Sequence, residues 1–322
     1  MNYRFKLPLR LTIQYEQGVT FPALYYLLRQ YVPEESRSRS IALVSIGTLL
    51  GAIISFLVSP FLIERYSWES VFLFFGGVCG PVFVWIWFLL VPNDAATYTI
   101  VDDNPTISVQ GEQVSYFTMI RNPLIATICF CHFAHNLSHF ALMSWLPSFL
   151  NDKLELKGDS LAISSLPWLA QGISVWVSST VADKLISNGW EQSKVRRVFA
   201  VSSFFIAGTS MSSVAYLSTS STPQSVPILV FLSLALAANG SVTAAGYESA
   251  KLDLSKTAAA ASRLQSLSNT IASLAGVFGV PLVSILKGNE NRWSNAFLCL
   301  ALFFYLAGIA FQIYGRWTTP IL

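Results

Sequence analysis

Apolar residues in this sequence come in blocks about as long as a helix that crosses a bilayer, and nearly every charge falls between the blocks. A hydrocarbon layer of about 30 Å needs about 20 residues of helix. A backbone in lipid must also satisfy its own hydrogen bonds, which restricts spanning structures to helices and closed barrels. The windows fall at Leu11–Tyr31, Ser40–Ile63, Val71–Val91, Leu124–Leu146, Leu161–Val181, Val198–Leu217, Val226–Tyr247, Leu264–Leu286 and Trp293–Tyr314. They predict an all-α polytopic membrane bundle of about nine spans. Composition agrees, with 53% hydrophobic and only 11% charged residues, far from the soluble average.

The connections carry the organisation. One is long and polar, and it divides the chain into residues 1–91 with three spans, a linker over 92–123, and residues 124–322 with six. Lys and Arg concentrate in cytoplasmic loops. With the carboxyl end inside, the inner connections hold Arg37, Arg39, Arg121, Lys184, Lys194, Arg196, Arg197, Lys251, Lys256 and Arg263, and the linker is cytoplasmic. The same frame leaves Arg4, Lys6 and Arg10 outside, against the rule. Three further helices upstream would restore both the charge rule and the match between two six-helix halves. The slight positive charge therefore reports orientation and implies no nucleic-acid partner. Cys79, Cys129, Cys131 and Cys299 all lie within apolar blocks and form no paired CxxC set.

A strongly polar group inside a span costs about 2.5–3.5 kcal/mol on insertion scales, so such groups turn toward a bundle interior or a watery path. In the first window these are Arg10 at the outer edge, then Glu16 and Gln17. Arg10 reads equally as a snorkelling side chain. His132, His135 and His139 share one span with Asn136, and spacings of three, four and seven place the imidazoles on one helical face. That face suits proton coupling or anion binding, simple interhelical hydrogen bonding, or a shared metal ion. Glu248, Lys251 and Asp253 cluster where the seventh window ends, and an ordinary boundary with a surface ion pair accounts for Lys251 and Asp253. Ser268 and Asn269 read as buried hydrogen-bonding groups in the eighth window, and Gly276, Gly279 and Pro281 as a close contact or kink. The chain has no Walker loop, nucleophile elbow or HExxH pair, which argues against an ATP-driven pump or an enzyme.

Several segments, in order, resemble the anion:cation symporter family of the major facilitator superfamily. RLTIQYEQGVTFPA (Arg10 to Ala23) is similar to the family's fourth helix, and PEESRSRSIALV to the loop after it. WESVFLFFG resembles the start of the sixth, CHFAHN the seventh in its plant versions, and WLPSFLNDKL, SLPWLA, VADKLISNG and VRRVF follow in family order. The resemblance implies family helices 4 to 12 and a monomeric secondary transporter without a resident cofactor. It further implies that a small anion, inorganic phosphate or an organic anion, is moved with a Na+ or H+ gradient. The resemblance implies substrate-binding roles for Arg10 and His135; with Asn136 and Asn269, polar groups within spans, they form the candidate substrate-binding set, and Glu16, Gln17 and His132 are the coupling candidates. The plant-like segments favour a plastid membrane, with vesicular, lysosomal and plasma membranes open. Two departures bear on mechanism. The family's fourth-helix Glu falls at Gln17, with Glu16 displaced by about 100° of helix rotation. The tenth-helix Asn-His-x-Asp-Ile run is Ala250, Lys251, Leu252, Asp253 and Leu254 here. A shortened, non-transporting relative and a metal-ion transporter are the alternatives.

Overall fold

The structure is a computed structural model, and it describes residues 20–90, 115–156, 162–220, 224–290 and 292–322. Arg10, Glu16 and Gln17 lie outside the described residues, as does most of the linker. Every regular element among the described residues is helical. Apart from short 3-10 turns, in chain order these are α1 (20–31), α2 (Arg37–Arg65), α3 (Trp68–Leu89), α4 (Tyr116–Arg121), α5 (Pro123–Leu154), α6 (Ser165–Ser187), α7 (Gln192–Leu217), α8 (Ser225–Asp253), α9 (Ala258–Lys287) and α10 (Trp293–Tyr314). Six of them, α2, α3, α7, α8, α9 and α10, are long and apolar enough to cross a membrane. Of the other three expected spans, α5 and α6 are long but diluted by polar residues, including the three histidines, and α1 is described only in part.

Local chemistry sets the helix ends. Asn122 caps α5 by accepting from the backbone amides of Leu124 (2.9 Å) and Ile125 (3.4 Å), and Pro123 fills the first helical position, where no amide is needed. Thr257 caps α9 through the amide of Ala260 at 3.1 Å. Within α8 the helix widens into a π turn over Val242–Tyr247, and Gly246 leaves helical geometry altogether. The segment Glu248–Asp253 then continues at a new angle.

That turn corrects the sequence reading of this region. The seventh window was expected to end at Tyr247, with Lys251 and Asp253 on the surface. The helix instead runs on to Asp253, and Glu248, Lys251 and Asp253 are all buried.

Helices α5 to α10 pack into one bundle, with α5 against α9 and α10, α7 against α8 and α10, and α6 against α8. Ile128, Leu137, Phe149, Phe204, Phe304 and Phe311 are among its buried side chains. Helix α2 lies along α6, and α3 packs on α2. Tyr25 and Leu28 of α1 join Ile41 of α2, Leu252 of α8 and Ala261 of α9 in a second, smaller buried cluster. The outer surface is greasy, as lipid-facing helices require: Phe83, Trp87 and Phe88 on α3, Val277 and Phe278 on α9 and Ile313 on α10 are all exposed.

Candidate functional site

Lys251 is the centre of a buried polar cluster assembled from four helices. Its side chain is fully buried, and its ammonium donates to Glu248 Oε1 at 2.7 Å, to Gln265 Oε1 on α9 at 2.7 Å and to His132 Nδ1 on α5 at 3.1 Å. Three donors thus meet three acceptors, and the rings of Tyr25 and Tyr247 stand 5.7 and 5.3 Å from the nitrogen. Acceptance at Nδ1 leaves the His132 proton on Nε2, which faces Glu248 Oε1 at 3.4 Å. Ser268 Oγ lies 3.3 Å from Nδ1. The carboxylate's second oxygen accepts from the hydroxyl of Tyr25, the one contribution from α1. Glu248 therefore bridges the six-helix bundle and the part of the chain before the linker.

The other histidines extend this polarity along α5. His135 Nδ1 is 3.2 Å from Thr243 Oγ1, its ring stacks on His139 at 6.0 Å, and His139 meets the edge of Trp168 at 5.2 Å. Phe56 of α2 stacks on the same indole at 5.9 Å. Buried polar atoms normally find partners. Here Ser138 Oγ, His139 Nδ1, Trp168 Nε1 and Gln171 Oε1 have none, so α5 and α6 carry a run of unfilled hydrogen-bonding capacity away from Lys251.

A second set of charges closes the end of α8. Asp253 accepts from Arg196 Nε at 2.8 Å and has Arg37 at 3.7 Å, with all three side chains buried. Arg196 also donates to Ser38 Oγ at 2.7 Å, and Arg37 pairs with Glu34 at 3.3 Å. Beside them, the backbone amide and Nε of Arg39 reach Asp183 Oδ2 of α6 at 3.0 and 3.3 Å, and Arg29 Nε donates to the Ser255 carbonyl at 2.9 Å. The start of α2 is thereby tied to α6, α7 and α8 by charge-assisted bonds.

A membrane helical bundle whose first helices clasp a six-helix half is one architecture among several until the sequence as a whole is compared. The family model of the Major Facilitator Superfamily matches residues 16–262. The chain belongs to that superfamily. Similar proteins include a chloroplastic ascorbate transporter of Arabidopsis thaliana, 28% identical over 94% of this chain and 56% of its own length. The chloroplastic sodium-dependent phosphate transport protein 1 of the same plant is 27% identical over 91% and 57%. A voltage-gated purine nucleotide uniporter of Homo sapiens is 28% identical over 93% and 67%. The chain spans little more than half the length of the two plant proteins.

Set on this major facilitator framework, the residues singled out from sequence separate. His132 enters the cluster directly, and His135 lies beside it through Thr243 and Tyr247. Asn136 and Asn269 are half-buried, and the Lys251 hydrogen bonds go to neither. The imidazoles of His132 and His135 have different partners, and an ammonium 3.1 Å from His132 Nδ1 would repel a metal cation there. Tyr25 and Gln265 were not legible as site residues. Tyr25 is an aromatic in an apolar window, and Gln265 a lone amide near a helix start. Only the Glu248 to Lys251 spacing of three, one helical turn, carried a signal.

Proposed function

We propose that this major facilitator chain moves a small anion across its membrane, with Lys251 as the cation that recognises it. The supporting observation is the fully buried ammonium of Lys251 at the meeting of α1, α5, α8 and α9, held by side chains that an anion could replace. A charge in that position is costly to keep inside a bilayer protein unless it has a task. Substrate sites in secondary transporters lie between two helical halves, and the Tyr25 contact to Glu248 joins two such parts here. The ascorbate, phosphate and purine nucleotide in the names of the similar proteins are all anions.

The unfilled polar atoms of α5 and α6 would line the substrate's route, with His135, Asn136 and Asn269 at its margin. Arg10 would add a second cation from the first window, with Glu16 and Gln17 beside it. The charges around Asp253 would close the cytoplasmic end of that route while it is open on the other side. The driving gradient is Na+ or H+, and the membrane is that of a plastid, as for the chloroplastic proteins it resembles.

The test is uptake of labelled ascorbate and inorganic phosphate into proteoliposomes containing the purified chain, with and without Na+ and pH gradients. Gradient-dependent uptake that disappears in K251M is expected. Uptake unaffected by K251M would remove Lys251 from the site, and binding without any uptake would make the chain a receptor of the same fold.

A further inference from the structure

Glu248 is the buried carboxylate that the transport scheme leaves without a task. It occupies Lys251 as a substrate anion would, with one oxygen 2.7 Å from the ammonium and the other receiving the Tyr25 hydroxyl. The groups facing it are Lys251 on its own helix, Tyr25 from α1, His132 from α5 and the neighbouring Tyr247. From α9, Gln265 and Ser268 complete the surroundings, and both are uncharged. The cluster thus holds one fixed positive and one fixed negative charge among the described residues.

We propose that Glu248 is a tethered competitor for the anion site and the residue that couples anion binding to proton uptake. The inference rests on the anion-transport reading and specifies its coupling ion. An anion added beside Lys251 while Glu248 stays ionised would leave the buried site with a net negative charge, which the low-dielectric interior penalises heavily. Taking one proton from solution onto the Glu248 carboxylate restores the balance: carboxylate plus proton gives the neutral acid, and Lys251 is freed for the incoming oxygen. The neutral acid gives up the Lys251 bond but keeps the one from the Tyr25 hydroxyl, since its carbonyl oxygen still accepts, and its own hydroxyl becomes a donor. A univalent anion is then accompanied by one proton, and its movement is electroneutral.

Linkage fixes the magnitude. If one proton is taken up per anion, affinity rises about tenfold for each unit of acidification for as long as Glu248 is ionised in the anion-free protein. Ascorbate and glutamate suit the measurement because both remain univalent anions between about pH 5.5 and 7.5. Affinity of each for the detergent-purified chain would be read from thermal stabilisation across that range, in wild type, E248Q, H132N and K251M.

The expected result is a wild-type slope near tenfold per unit, a pH-independent affinity in E248Q, and a slope retained in H132N whatever happens to affinity. K251M should lose binding at every pH. The wild-type slope needs no variant, so a poorly folded E248Q would not leave the question open. A flat wild-type profile, or a slope that survives E248Q but vanishes in H132N, overturns the proposal while leaving anion recognition by Lys251 intact. Absence of stabilisation by either anion and by phosphate, at any pH, overturns the anion reading and this inference together.

Discussion

At the scale of single residues, the interior of this protein is organised by charges that exist only in company. Asp253 faces both Arg196 and Arg37 in a place where all three are cut off from solvent. Removing one partner of a buried set leaves an uncompensated charge, at a cost of about 3–5 kcal/mol, whereas exposed pairs contribute little. D253N should accordingly lower thermal stability in detergent by about that amount. E34Q should change it by less than about 1 kcal/mol, because the Glu34 side chain is 58% exposed. Equal effects would mean that Arg196 and Arg37 find other partners. What could be read from the sequence at this scale was the rarity of charges inside apolar windows. What could not be read was pairing, since Asp253 and Arg196 are 57 residues apart and Tyr25 and Glu248 are 223 apart. The three imidazoles were recognisable as one face because a single helix carries them.

At the scale of elements, the windows were legible because lipid demands length and apolarity together, although α5, α6 and α8 all run on past the ends of theirs. The overrun of α8 is the one that matters for the site. Its π turn has no apolar signature, so Glu248 and Lys251 read as the start of a loop. A π turn inside an α-helix is a frequent feature of functional sites, and here it delivers two charges to the interior. Close approach of helices is the other element-scale device. A Cβ at Gly240 of α8 would lie 2.6 Å from the backbone oxygen of Gln171 on α6, which cannot rotate away. At Gly279 of α9 it would lie 2.7 Å from Leu137 Cδ1 on α5, consistent with the close contact expected there. G240A should cost about 1–3 kcal/mol and G240L more, by forcing α6 and α8 apart. Melting curves in detergent would show it, and an unshifted G240L would mean that the two helices are not packed as described.

At the scale of the whole molecule, α1 and α2 meet the six-helix bundle through Tyr25, Ser38, Arg39 and Phe56. Arg39 is about half exposed, with 48% of its side chain accessible, so its share is small alone, but Asp183 is buried and also receives the Arg39 amide. D183N should loosen this tie. Spin labels on the start of α2 and the start of α7 should then report a broader, longer distance distribution than in the wild type. An unchanged distribution would place the clasp elsewhere. The order of segments announced the superfamily plainly, because it is distributed over most of the chain, whereas the clasp depends on two surfaces meeting.

The account turns on Lys251 as the group that recognises the anion. Equilibrium binding of radiolabelled ascorbate to the purified chain and to K251M tests this, with K287M as a comparison because Lys287 pairs with Asp152 away from the cluster. Saturable binding that weakens more than about tenfold, at least 1.4 kcal/mol, in K251M but not in K287M is the expected result. Equal affinity in all three proteins would contradict it.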